Sequence, residues 1–316
     1  MKSFFQLIRW QNLLFTSIIL WVMEKWVAVP ILDQWRFGEQ MPWWVLLCLM
    51  IAVGCIAAGG YVINDYFDIK IDRINRPDKV LVTTVFSKQQ TMRIFQVLTT
   101  VGLLFSGVVA YWAHSWTLFL LCAMTTGLLW FYSASYKRQL IIGNLIVAFA
   151  SALTPLSVAI ANVDHLYYRY AGVIEYTPIP KQLYLWIGGF VLFAFLLTWA
   201  REIVKDLQDQ MGDRELECHS LPIVIGDTWT KVIVTALLVG VMALIVYIGF
   251  WVVPFPHTWS SLSTRYITFG LLVPLAGELA LLWAARIPSD YKNAQLLLKF
   301  IMFIGVLYAF VIAKMV

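Results

Sequence analysis

The sequence predicts an all-α integral membrane protein, a bundle of nine transmembrane helices. Of its 316 residues, 61% are hydrophobic and only 13% are charged, which is about half the charged share of a typical soluble domain. Apolar runs recur from one end of the chain to the other, and the mean hydropathy is +0.77. Backbone groups in a bilayer must be bonded within the protein, and the runs lack the alternation of barrel strands, so helices are expected.

Nine candidate spans follow, because a spanning helix needs about 20 mostly apolar residues. They cover about residues 10–31, 43–63, 94–112, 116–133, 140–162, 183–200, 232–252, 266–285 and 296–316. Arg9 interrupts the first apolar stretch and no small-residue cleavage site follows it, so we expect a retained helix and not a signal peptide. We expect residues 1–316 to form a single transmembrane domain.

The basic residues are divided unevenly between the two sides of the predicted membrane. The side that holds the N-terminus has 17 of the 23 Lys and Arg residues, and such an excess marks the cytoplasmic side. We therefore expect a multi-pass protein of the cell membrane, with its N-terminus and the connections after the second and sixth spans in the cytoplasm. The net charge of +5 is spread over many loops and not gathered in one patch, so a nucleic-acid partner is not expected.

Acidic residues are concentrated in two of the cytoplasmic connections, which hold 11 of the 18. The first reads NDYFDIKIDRINRP and the second REIVKDLQDQMGDRE. Each contains three aspartates spaced i, i+3, i+7, which places them on one face of a helix continuing out of the membrane. The first acidic trio is Asp65, Asp68 and Asp72, and the second acidic trio is Asp206, Asp209 and Asp213.

Like charges at this spacing destabilise a helix, so the pattern indicates a compensating cation. Carboxylate oxygens suit Mg²⁺, which is commonly shared with substrate phosphates. Two opposed faces of this kind would hold roughly two or three magnesium ions and a diphosphate. All six aspartates are therefore candidate metal ligands, with Asn64 as a further ligand or a partner of one. The trios lie 141 residues apart after helices that run the same way, which suggests a parallel duplication of a four-helix unit.

These motifs resemble those of the UbiA superfamily of membrane prenyltransferases. Its first motif, NDxxDxxxD, is matched by Asn64 with the first acidic trio, and its DxxDxxxD motif by the second trio. Nine helices with both motifs in the cytoplasm also match, so the resemblance covers essentially the whole chain. The sequences of both motifs are similar to those of the digeranylgeranylglyceryl phosphate synthase branch. So is the stretch YSASYKRQLIIGN, which contains Tyr132, Lys137 and Asn144. One stretch departs from that branch: DKVLVTTVFS stands where a second Arg-Pro and a PSG-like turn are usual.

The resemblance implies magnesium-dependent transfer of an isoprenyl group, geranylgeranyl in this branch, from its diphosphate to a lipophilic acceptor. A prenylglyceryl phosphate acceptor would give an ether lipid, with the isoprenyl tail among the helices in contact with membrane lipid. The resemblance also implies that Tyr132 and Asn12 approach the diphosphate. Arg binds phosphate at two points and Lys acts as a point charge. The basic candidates are Lys137, Arg76 and Lys205, followed by Arg73 and Arg201.

Other functions remain open from the sequence. Within the same class, the acceptor could be an aromatic quinone precursor or haem. A cation transporter could use the acidic connections as its ion path, and a non-catalytic scaffold could bind lipid. Transporter sites usually lie near the bilayer midplane, whereas the acidic trios lie at helix mouths and Glu278 is deep in a span. A carboxylate at such a depth is either functional, protonated or bonded to a neighbouring helix.

Overall fold

The structure, a computed structural model, describes residues 2–38, 40–75, 77, 80–215, 218–248 and 261–315. Most of these residues are helical, and nine helices among them are long and apolar enough to cross a membrane. The predicted fold class and the predicted number of spans are therefore confirmed.

We number eleven helices of the described residues in chain order, joining segments that continue one another. The two short helices are α1 (Lys2–Leu7) and α4 (Ile69–Asn75). The nine candidate spans are α2 (Trp10–Gln34), α3 (Trp43–Phe67), α5 (Lys88–Ala113), α6 (Trp116–Ala134), α7 (Ile142–Arg169), α8 (Ile179–Glu215), α9 (Leu221–Tyr247), α10 (Leu262–Ala284) and α11 (Pro288–Ile312). Parts of α2 and α10, Glu24–Ala28 and Tyr266–Leu272, are π-helical.

Several helices extend beyond the predicted spans because polar residues continue the helical backbone. Helix α8 runs on to Glu215 and so contains the whole second acidic trio. Helix α11 begins at Pro288, a residue suited to a first turn because it lacks an N–H. Asp290 supports this start by accepting hydrogen bonds from the backbone nitrogens of Arg286 (2.9 Å) and Ile287 (3.2 Å). Residues 249–252 of the predicted seventh span lie outside the described residues.

The chain divides into two compact units, each of which is described by itself. The first consists of Met1–Lys137 and Ala152–Val191, and the second of Arg138–Ser151 and Leu192–Val316. One boundary lies between Lys137 and Arg138, and the other two fall within α7 and α8, so both of these helices contribute residues to each unit. The single domain and the internal duplication stay predictions.

In the first unit, α3 and α5 approach each other closely where glycines line their contact. A methyl group added to Gly59 would lie 2.9 Å from the Thr99 side chain. One added to Gly102 would lie 2.8 Å from the Ile56 side chain and 3.1 Å from the carbonyl oxygen of Ala52. Small residues let membrane helices pack at short range. The close packing offsets the roughly 1 kcal/mol that a mid-helix glycine costs relative to alanine.

The second unit is held together by one apolar cluster. Leu207 of α8, Leu238 of α9, Leu282 of α10 and Leu298 of α11 are all buried in it. At about 100° per residue, the second acidic trio lies on the side of α8 opposite the residues that this helix contributes to the cluster, such as Val204 and Leu207. The packing of the unit therefore presents the three aspartates away from its apolar cluster.

We expect Gly102→Ala to destabilise the protein, because the added methyl group meets backbone atoms that cannot move aside. Overpacking of about 1–3 kcal/mol exceeds the roughly 1 kcal/mol gained in helix propensity, so the unfolding temperature in detergent should fall by a few degrees. The control is Gly107→Ala on the same helix, where the nearest atom would lie 4.0 Å away. Equal unfolding temperatures for the two variants would show that the close contact of Gly102 with α3 does not restrict the size of the residue at that position.

Candidate active site

The first acidic trio lies where α3 gives way to α4. Asp65 is in the last turn of α3, Asp68 follows the end of α3, and Asp72 is in α4. The backbone N–H of Asp68 still bonds to the carbonyl of Asn64, and that of Asp72 to the carbonyl of Asp68, both at 2.9 Å. The trio was expected on one continuous helix; the helix is instead interrupted at Asp68, although these bonds keep the helical spacing.

Asp65 is paired with an arginine from the start of the chain. Nη2 of Arg9 lies 2.8 Å from Oδ1 of Asp65, and the guanidinium stands over the Tyr61 ring, 4.8 Å from its centroid. The hydroxyl of Tyr61 in turn accepts a hydrogen bond of 3.3 Å from Nδ2 of Asn12. A carboxylate at a helix C-terminus is opposed by the helix dipole, and Arg9 compensates for this. Asn12, predicted to approach the diphosphate, is thus linked to Asp65 through two intervening residues, Tyr61 and Arg9.

The sequence did not predict a role for Arg9 in the site; it showed only that this residue interrupts the first apolar run. Its backbone is left-handed, with φ of 51°, at the junction between α1 and α2. Leu7 and Ile8 pack in one cluster with Ala58 and Val62 of α3, so that Arg9 is held near the end of that helix. Burial lowers the pKa of Arg9, but Asp65 and Tyr61 raise it by more, so the guanidinium stays charged. An isolated charge in an apolar run was the only signal in the sequence.

Asp68 is nearly buried, with 8% exposure, and binds two donors through the same oxygen. Nδ2 of Asn64 donates to Oδ2 of Asp68 at 2.6 Å, and Nζ of Lys137 is ion-paired with that oxygen. Burial lowers the pKa of Lys137, but the charges of Asp68, Tyr132 and Asp72 raise it well above its usual range. The structure therefore brings together Asn64, Asp68 and Lys137, with buried Tyr132 close enough to influence the lysine.

Of the two remaining basic candidates near the first acidic trio, Arg73 contacts another segment and Arg76 is not described. Nη2 of Arg73 donates to Oγ1 of Thr83 at 3.1 Å, so Arg73 contacts the turn that departs from the resemblance. Thr83 has a left-handed φ of 77°, which is strained for a β-branched residue. Arg76 lies outside the described residues, and its proposed contact with phosphate stays a prediction.

The second acidic trio lies on the single helix α8, as predicted. Nδ2 of Asn144, in the first turn of α7, donates to Oδ2 of Asp206 at 2.8 Å. The hydroxyl of Ser220, just before α9, donates to Oδ2 of Asp213 at 2.9 Å. Asp209 lies between these two on the same face of the helix. Asp206 and Asp213 are therefore each oriented by a neutral donor from a neighbouring segment.

The two basic candidates of α8 share one acidic partner, Glu202. Nη2 of Arg201 is ion-paired with Oε1 of Glu202, and Nζ of Lys205 lies 3.0 Å from Oε2. Glu202 has only 4% exposure. It was not among the predicted site residues, although it lies four residues before Asp206 on the face of the second acidic trio.

The donor sets fit a metal ion that is shared with a substrate. Among the described residues, no three His, Cys, Asp or Glu side chains lie close enough together to hold a metal ion. Magnesium usually binds through one or two carboxylates plus substrate phosphates and water. The paired aspartates and the charged Lys137 and Lys205 nearby match that requirement, with carboxylates for the metal and ammonium groups for phosphate.

The sequence matches a known protein family over most of its length. Residues 34–307 match the UbiA prenyltransferase family. A digeranylgeranylglyceryl phosphate synthase from Sulfurisphaera tokodaii is 32% identical over 246 residues, covering 75% of this chain and 76% of its own. The chain belongs to the UbiA prenyltransferase family and is a multi-pass membrane enzyme.

Solved structures share the fold. A structure of digeranylgeranylglyceryl phosphate synthase matches 99% of this chain and 98% of its own with a TM-score of 0.62 and 24% identity. A UbiA homologue from Archaeoglobus fulgidus, bound to GPP and Mg²⁺, matches 99% of each chain with a TM-score of 0.57 and 14% identity. At these identities the likeness supports the fold alone.

We expect Asn144→Asp to destabilise the second unit, because it replaces the donor to Asp206 with a like charge. The lost hydrogen bond and the repulsion should lower the free energy of unfolding by about 1–3 kcal/mol. Thermal unfolding in detergent at neutral pH measures this. The control is Asn293→Asp, an exposed asparagine on α11. If both variants unfold at the wild-type temperature, the bond between Asn144 and Asp206 contributes nothing to stability.

Proposed function

We propose that this enzyme transfers a geranylgeranyl group from geranylgeranyl diphosphate to a prenylglyceryl phosphate, in a magnesium-dependent reaction that makes an ether lipid. The observation that carries the proposal is the pair of acidic trios, each with cationic side chains beside it. Relatives named digeranylgeranylglyceryl phosphate synthase, such as the one from Sulfurisphaera tokodaii, support this acceptor class.

Magnesium held by the two trios would neutralise the diphosphate and stabilise its charge as it leaves. The protein itself supplies cations: Lys137 from the turn after α6 and Lys205 with Arg201 on α8 are suited to bind phosphate oxygens. Asn64 orients Asp68, and Asn144 orients Asp206, so the carboxylates are held in place before substrate arrives. Tyr132, Asn12, Arg73 and Arg76 remain candidate contacts of the diphosphate.

In the proposed reaction, the bond between the first carbon of the isoprenyl chain and the diphosphate oxygen breaks, and the diphosphate leaves with its electron pair. The acceptor hydroxyl oxygen forms an ether bond to that carbon, and its proton is released to the diphosphate or to water. An allylic cation that develops during this step would be quenched by water. The apolar spans supply a dry path for the isoprenyl tail, and aromatic faces near the reacting carbon would stabilise positive charge.

The test uses purified protein in lipid vesicles with Mg²⁺ and labelled geranylgeranyl diphosphate. The acceptors are geranylgeranylglyceryl phosphate, 1,4-dihydroxy-2-naphthoate and 4-hydroxybenzoate, each supplied separately. We expect label transfer to the glycerol lipid alone, and a loss of at least about a hundredfold in Asp68→Asn and Asp206→Asn. The control is Asp33→Asn, an exposed aspartate at the end of α2.

Each other result has a definite meaning. Transfer to an aromatic acceptor would contradict the ether-lipid proposal and leave the metal-binding proposal standing. Full activity in both Asp→Asn variants would contradict the assignment of the acidic trios. Binding of Mg²⁺ without binding of the diphosphate would favour an ion-transport function.

We further propose that the N-terminus and both acidic trios face the cytoplasm, which the distribution of Lys and Arg supports. In a background without the four native cysteines, cysteine is placed at Lys88 or at His114, exposed positions near opposite ends of α5. An impermeant maleimide added to intact cells should label His114→Cys but leave Lys88→Cys unlabelled until the cells are opened. The reverse pattern would overturn the orientation.

A further inference from the structure

We propose that Arg9 is a positioning residue that orients Asp65 for Mg²⁺, and that the packing of α1 against α3 holds Arg9 in place. The inference rests on the proposed function, since it concerns the first acidic trio of the same site. The short N-terminal helix α1 thereby acquires a role in metal binding.

The Arg9 guanidinium is bonded to one oxygen of the Asp65 carboxylate. Nη2 of Arg9 lies 2.8 Å from Oδ1 of Asp65. A carboxylate has two oxygens, so Oδ2 can bind a metal ion while Oδ1 stays bonded to Arg9. Groups that bond a metal-binding carboxylate fix its orientation, and their loss typically weakens metal binding by about 10–100-fold. Arg9 is placed to act on Asp65 in this way.

Arg9 reaches Asp65 because the residues before it pack on the same face of α3. Ala58, Val62 and Asp65 are spaced i, i+4, i+7, so they share one face of that helix. Leu7 is fully buried in one apolar cluster with Ala58 and Val62. The apolar contacts of Leu7 with α3 therefore bring the residues that follow it level with Asp65.

The backbone of Arg9 also depends on its surroundings. Its φ of 51° and ψ of 53° are left-handed, a conformation that residues other than glycine adopt rarely and keep where neighbouring contacts hold it. The N–H of Arg9 donates to the carbonyl of Gln6 at 3.1 Å, and its own carbonyl accepts from the N–H of Asn12 at 2.8 Å. The junction between α1 and α2 therefore fixes where the guanidinium leaves the backbone.

The experiment measures metal binding and not catalysis. The probe is an unreactive thiodiphosphate analogue of geranylgeranyl diphosphate, bound to protein in detergent while Mg²⁺ is titrated. Arg9→Met keeps a long side chain but removes its charge and its donors, so we expect it to raise the Mg²⁺ concentration at half-saturation about tenfold. Arg9→Lys keeps the charge without the planar fork and should raise that concentration only about threefold.

The affinity for the analogue at excess Mg²⁺ separates positioning from two other roles. In Arg9→Met it should stay within about twofold of wild type. Weakened analogue binding with unchanged half-saturating Mg²⁺ would overturn the proposal, because Arg9 would then act on the diphosphate directly. A lower half-saturating concentration would also overturn it, because Arg9 would then compete with the metal ion for Asp65. The control is Lys2→Gln, which removes an exposed cation from α1.

A double-mutant cycle tests whether α1 acts through Arg9. Leu7→Ala removes apolar contacts with α3 and leaves every charge in place, so we expect half-saturating Mg²⁺ to rise about threefold. Added to Arg9→Met, the same change should give no further rise. A threefold rise in both backgrounds would contradict the proposed role of α1, because its packing would then act without Arg9. The control is Phe5→Ala, which shortens a side chain of α1 that is 49% exposed.

Thermal unfolding without Mg²⁺ or analogue identifies variants that do not fold. If Leu7→Ala does not fold, Leu7→Val replaces it, with an expected rise of about twofold; Arg9→Lys replaces Arg9→Met in the same way. Unchanged half-saturating Mg²⁺ in a folded Arg9 variant would overturn the proposal. Failure of the wild-type protein to bind the analogue with Mg²⁺ would instead overturn the proposed function itself.

Discussion

The energetic cost of charge beside a hydrocarbon layer is the constraint on which the rest of this structure depends. An ionised carboxylate taken out of water without a partner costs several kcal/mol. A chain with 13% charged residues therefore confines most of its acids to helix ends. There the described aspartates are compensated individually: Asp65 by Arg9, Asp68 by Lys137 and Asn64, and Asp206 by Asn144.

The same constraint accounts for the acids inside the spans. Glu24, in the π-helical part of α2, is fully buried and accepts a 2.7 Å hydrogen bond from Nδ2 of Asn162. Glu278 of α10 is also fully buried, and neither of its oxygens has a hydrogen-bond partner among the residues that the structure describes. A carboxyl group in that position is least costly when uncharged.

The fold and the outline of the site could be predicted from the sequence because both rest on local patterns. Hydropathy gave the nine spans, and the i, i+3, i+7 spacing gave both acidic trios. The partners could not be predicted, because they are distant in the chain: Arg9 and Asp65 are 56 residues apart, Lys137 and Asp68 are 69, and Asn144 and Asp206 are 62. Glu202 could have been predicted from local spacing, because it lies one helical turn before the second trio on the same face. It went unassigned because the motif was defined by aspartates alone.

The two trios share a spacing, but their charges are compensated in different ways. The cations of the first trio, Arg9 and Lys137, come from other segments, so its charges are balanced only once those segments have packed against α3. The cations beside the second trio belong to α8 itself and are restrained by Glu202, three residues or fewer away. Local pairs form with their helix and need no tertiary contact. The same spacing of aspartates can therefore occur in two different environments, provided that each carboxylate near the hydrocarbon boundary has a hydrogen-bond donor as its partner.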